Sequence, residues 1–129
     1  GSPTKAFNEL RDAALAGDWG AFYDGMGPTL RQADAADPAH AGLDASLTAR
    51  EKFIKGMEQT MKGAGGSGMD SLGADAFLSL WQDAVVKAEA VDGDTAILTI
   101  TKGGSDWRER FVREGGGWKF DGVPEGNGP

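Results

Sequence analysis

The apolar residues of this chain change their spacing once, near residue 85. Before that point they recur every three to four positions; after it they alternate. A helix presents one face every 3.6 residues and a strand every 2. A chain with the first pattern early and the second late folds as helices followed by consecutive strands. Short turns between such strands make an antiparallel meander, so the expected class is α+β, with the N-terminal helices packed on a curved antiparallel sheet.

The first helix is predicted over 4–16, where Phe7, Leu10, Ala14 and Leu15 form one stripe. Pro3 suits its first turn and Gly17 its stop. Asp18 is an N-cap for a second helix, in which Trp19, Phe22, Tyr23 and Met26 repeat at i, i+3, i+4 and i+7. Gly25, Gly27 and Pro28 weaken its far end. Residues 32–46, QADAADPAHAGLDAS, lack periodicity and read as a loop with at most a short helical turn. Thr48 and Glu51 match a capping box, and Phe53, Ile54, Met57 and Met61 set a third helix at 49–62. GAGGSG at 63–68 is a flexible loop; it lacks the preceding strand and following GK[ST] of a phosphate-binding turn. Phe77, Leu80 and Trp81 suggest a short helix over 73–81.

Strands follow at 85–91, 95–101, 107–114 and 118–123, with turns at Asp92-Gly93-Asp94, at Lys102 to Ser105 and at Glu114 to Gly117. The three glycines of FVREGGGWKF are therefore a hairpin connection, since a phosphate cradle would open a helix. Residues 3–123 read as a single domain. Gly1 and Ser2 read as a cleaved-tag scar to be left out of the fold, and 124–129 as a flexible polar tail.

With 129 residues, 40% of them apolar, the chain is long enough for a self-sufficient core. A net charge of −7 argues against nucleic acid and anionic membrane surfaces as partners. No apolar run approaches the roughly 18 residues of a membrane span. The absence of cysteine excludes disulfides, thiol catalysis and iron–sulfur clusters.

Three stretches carry a family resemblance: Gly17-Asp18 with Phe22-Tyr23, then Gly93-Asp94-Thr95-Ala96, then Phe111-Val112 with Gly116-Gly117-Trp118-Lys119. Together they resemble the small bacterial, lipoprotein-type members of the NTF2-like (cystatin-like) superfamily across most of residues 4–122. The resemblance implies a cone-shaped α+β fold whose mouth can hold a small molecule, and a sheet through which two copies can pair as a homodimer. It implies an exported, periplasmic or lipoprotein-anchored setting, with a cytoplasmic one left open. Some members of the superfamily are isomerases and cyclases; many only bind or dimerise.

Isomerase-type chemistry needs a carboxylate base and an oxyanion-stabilising group in an apolar pocket. Tyr23 is the only tyrosine, and Asp83 and Asp106 read as capping or solvated groups. His40 is the only histidine and stands in a loop without a His or Cys partner, so neither a triad nor a zinc site is assigned. Asp92-Gly93-Asp94 is a turn rather than a calcium loop. Trp107 and Phe111 share a strand face with Glu109 between them, while Arg108, Arg110 and Val112 share the other as a solvated face. Strand twist or a bulge is expected to hold Glu109 at the rim of the cone. Trp118 and Phe120 make one face of the last strand aromatic, and the resemblance implies that Trp118 closes the sheet against the helices.

The candidate pocket residues are Trp19, Tyr23, Trp81, Trp107, Glu109 and Trp118, with no catalytic residue, metal or cofactor assigned. The expected function is a non-catalytic module that binds a small molecule or a protein. Two alternatives stay open: an isomerase- or cyclase-type enzyme using Tyr23 and Glu109 as its polar pair, and an assembly domain of a longer protein.

Overall fold

The computed structural model describes residues 1–37, 40, 42–63 and 78–124. Helices α1 (Pro3–Ala16), α2 (Trp19–Asp24), α3 (Pro28–Ala35) and α4 (Ala49–Gly63) precede strands β1 (Val85–Asp92), β2 (Thr95–Lys102), β3 (Ser105–Glu114) and β4 (Gly117–Phe120). The strands form one open antiparallel sheet in the order β1-β2-β3-β4. The class is α+β, with helices first and a four-stranded meander after them.

Local capping sets most helix ends. Ser2, set aside above with Gly1, is the N-cap of α1: its hydroxyl accepts from the Lys5 amide at 3.1 Å. Gly17 ends that helix in the left-handed region (φ 72°), a conformation an L residue adopts at a cost. Asp18 accepts from the Ala21 amide at 3.1 Å to start α2. The capping box of α4 is reciprocal, with the Thr48 amide donating to Glu51 at 2.8 Å and the Glu51 amide to the Thr48 hydroxyl at 3.1 Å.

Two expectations need correction here. The helix expected to run through Met26 stops at Asp24. The segment 25–27 instead pairs with the end of β4: the Phe120 amide donates to the Gly25 carbonyl at 2.8 Å, and the Gly27 amide to the Phe120 carbonyl at 2.6 Å. The two flanking glycines disfavour helix continuation and allow this close approach. The expected loop at 32–46 is also wrong at its start, because α3 runs to Ala35. Pro28 does more than weaken the end of the preceding helix: it occupies the first turn of α3, where its missing N–H costs nothing. The cap of α3 is not local: Gly27 has no side chain, and the Asp121 carboxylate accepts from the Thr29 amide at 2.7 Å.

In the sheet, β3 begins two residues earlier than expected, at Ser105, and β4 ends at Phe120 rather than 123. Beyond that end the pairing continues irregularly, with Asp121 donating to the Arg110 carbonyl and Arg110 to the Gly122 carbonyl, each at 2.8 Å. Gly115 and Gly116 have φ of 61° and 84°, so the glycines of the third turn serve the hairpin. A bulge in β1 between Val86 and Ala88 places Glu89 opposite Leu98 and Val86 opposite Ile100. Residues 78–81 form a helical turn; the expected helix at 73–77 and the GAGGSG loop beyond Gly63 lie outside the described residues.

Helix α1 lies on the inner face of the sheet, against β1, β2 and β4. Phe7, Leu98, Ile100 and Phe111 are the largest fully buried side chains. Each stabilises the fold by about 1.5–3 kcal/mol through removal from water. At the start of α1, the Glu89 carboxylate accepts from the Thr4 amide and hydroxyl at 3.0 and 2.7 Å, which ties β1 to the positive end of the helix.

Candidate functional site

The site begins with the pleat of β3. Ser105 to Val112 pair with β2 in unbroken register, Trp107 opposite Ile100, Glu109 opposite Leu98 and Phe111 opposite Ala96. Ala96, Leu98 and Ile100 are all buried, so this face of β3 points at the helices. Strict alternation therefore carries Glu109 inward, and only 7% of it is exposed. That corrects the expectation of a rim position: the bulge that would have turned Glu109 outward falls in β1 instead.

Glu109 is poorly provided for. The Trp107 indole N–H donates to its Oε2 at 2.9 Å. Its Oε1 is buried and has no hydrogen-bond partner among the described residues. Burial pushes the Glu109 carboxyl above the ordinary glutamate range, and the Trp107 bond opposes that only in part. In the folded state the neutral form is thus favoured relative to the unfolded chain. The sign follows: stability is undiminished below the ordinary glutamate pKa and falls as pH rises through the higher folded value.

In front of Glu109 lies a cavity of about 220 Å³ lined by Phe7, Leu80, Trp81, Trp107, Glu109 and Phe120. Its walls are apolar apart from the carboxyl group. Phe7 comes from the stripe of α1, Leu80 and Trp81 from the helical turn before β1, and Phe120 from the end of β4. Phe7 and Trp81 touch, with ring centroids 5.6 Å apart. Leu80 is 58% exposed and marks the mouth. Phe120 packs on Phe111 at 5.6 Å, which fixes the floor against the buried core.

The structure brings together Trp81, Trp107 and Glu109 among the six residues expected at a pocket. The other three lie elsewhere. Trp19 is buried edge-on to Phe22 at 5.9 Å. Tyr23 packs on Phe53 of α4 at 5.4 Å and does not line the cavity, so the Tyr23–Glu109 pair of the enzymatic alternative is not assembled there. Trp118 is buried beneath the Arg113 guanidinium, 4.7 Å from its ring centroid, and borders a separate, more polar groove with Leu10, Gly25 and Lys119. Sequence reading left out Phe7, Leu80 and Phe120. Phe7 and Phe120 had a signal, since one opens the α1 stripe and the other alternates with Trp118.

His40 is not the isolated loop residue its sequence context implies. Its Nε2 lies 3.4 Å from Asp34 Oδ1, with the two side chains 10% and 17% exposed. Burial raises the Asp34 carboxyl from its usual range, His40 acts against this and Asp37 adds to it. Beside them is a cavity of about 100 Å³ bounded by Phe53, Gly56, Met57 and Thr60. Among the described residues, no group of three or more His, Asp or Glu side chains could hold a metal ion. Asp106, expected to be solvated, pairs with Lys87 across β1 and β3 at 2.6 Å. No described helix is long and apolar enough to cross a membrane.

No family model, curated protein or solved structure matches the chain.

Proposed function

We propose that this chain is an NTF2-like binding module that holds a compact small molecule in the aromatic cavity before Glu109. The order of elements supports the family reading: helices first, then a four-stranded meander, with aromatic side chains gathered between the layers. One observation carries the functional reading. A carboxylate sits at the back of an apolar cavity with one oxygen bonded and one without a partner among the described residues. Buried polar atoms are nearly always satisfied, so an unsatisfied one at a cavity wall marks a place for a ligand group.

The volume restricts the ligand. Ligand pockets for drug-sized molecules run to about 300–1,000 Å³, while an apolar cavity of about 150 Å³ accommodates benzene. About 220 Å³ therefore suits a molecule somewhat larger than a single six-membered ring. An isomerase- or cyclase-type reaction finds less support, because Tyr23 lies against Phe53 and away from Glu109. The test is an NMR titration of the four indole N–H signals with small aromatic and amine fragments. The reading expects Trp81 and Trp107 to shift while Trp19 and Trp118 stay put. Uniform shifts, or none, would remove the cavity as a binding site.

A further inference from the structure

The cavity also carries information about the charge of its ligand, an inference that rests on the binding reading above. We infer that it takes a compact alkylammonium ion, with the cationic head on the Glu109 carboxylate and the alkyl groups among Phe7, Trp81, Trp107 and Phe120. Three observations converge. Glu109 is only 7% exposed, and its Oε1 has no partner among the described residues. No described positively charged side chain pairs with it. The remaining walls are aromatic or aliphatic.

A lone buried carboxylate is costly, and a cation placed against it removes that cost. Aromatic rings add attraction for the same charge, and they accept the methyl groups of a weakly hydrated ammonium. A neutral ligand would gain from the rings alone. An anionic ligand would be repelled by Glu109 and by a chain of net charge −7. The size of the cavity, about 220 Å³, selects a small free ion over a bulky one. A phosphate-bearing headgroup is disfavoured because no cationic group lines the site among the described residues.

The probes are choline, its neutral carbon isostere 3,3-dimethylbutan-1-ol, and phosphocholine, each followed by the Trp81 and Trp107 indole signals at pH 7.5. Choline is expected to bind with a dissociation constant of about 0.1–1 mM, and the neutral isostere and phosphocholine at least about tenfold more weakly. Glu109→Gln should cost choline at least about tenfold and change binding of the isostere by less than about threefold. Lowering the pH should weaken choline binding as Glu109 takes up a proton.

Equal affinity for choline and the isostere in the unaltered protein overturns the inference without any variant. Choline affinity retained in Glu109→Gln does so as well. Phosphocholine binding as tightly as choline overturns the choice of a free cation. If the neutral isostere binds and choline does not, the charge assignment fails while the cavity remains a binding site. If no probe moves either indole, both readings fail.

Discussion

Two carboxylates are buried along β3 and just past the end of β4, and they are served very differently. Asp121, 4% exposed, accepts from the Thr29 amide at the start of α3 and lies 3.5 Å from the Arg110 guanidinium. Glu109, 7% exposed, has one indole N–H and an apolar cavity. The first is an architectural group: it fastens a helix to the end of the sheet and is satisfied in doing so. The second fastens nothing. Folding tolerates its burial without using it, and that separates a candidate site from a structural pair more clearly than burial alone.

Removing the structural carboxylate should have the largest effect. Asp121→Ala takes away the cap of α3 and the carboxylate facing Arg110, leaving Arg110 only the residue 121 carbonyl, and a loss of about 3 kcal/mol is expected from urea unfolding. A loss below about 1 kcal/mol would mean that Asp121 is as dispensable as Glu109. The next effect is at Gly27, where an added Cβ would stand 2.9 Å from both Cβ and Cγ of Asp121. Gly27→Ala should therefore destabilise by about 2 kcal/mol, since neither the helix start nor the strand end can give way easily.

Glu109→Gln should act in the opposite direction. At pH 8 it removes a carboxylate that burial disfavours, and a gain of about 1 kcal/mol is expected. At pH 4 both forms are uncharged, so the gain should vanish. A pH-independent loss would place Glu109 among the structural groups with Asp121. The smallest effect belongs to the surface. Arg50 donates to both oxygens of Asp24 at 2.9 and 3.1 Å and holds that carboxyl below its usual range, but both side chains are largely solvated. Arg50→Ala should lower stability only marginally in urea unfolding, and less still in high salt. Its contribution should fade as acid protonates Asp24.

The same division explains what could be read from the sequence. Caps that act within one turn were legible: Asp18 before α2, and Thr48 with Glu51 before α4. The glycine turns and the alternation of β3 were legible too, because turn chemistry and pleat are local. Contacts between residues far apart in the chain were not. Helix α3 is short, has no buried residue and takes its cap from a residue near the opposite end of the chain, so the stretch from Gln32 looked like loop. The departure of Gly25–Gly27 from helix needed knowledge of where β4 ends.

At the site, the shared face of Trp107, Glu109 and Phe111 followed from alternation alone. Its direction did not, because a bulge within β3 would have reversed it, and the actual bulge fell in β1. Which aromatics would gather there depended on α1 crossing the sheet, so Phe7 joined Trp81 while Trp19, Tyr23 and Trp118 went to other contacts.

The most direct test of the unpaired carboxylate is a carbon-13 NMR titration of the Glu109 side chain, alone and saturated with choline. Burial without a counter-charge requires a midpoint above the ordinary glutamate value in the free protein. Linkage then requires choline to lower it, because a cation that binds the ionised form must favour ionisation. A midpoint in the ordinary range that choline leaves unchanged would show that Glu109 is neither isolated nor part of a cation site.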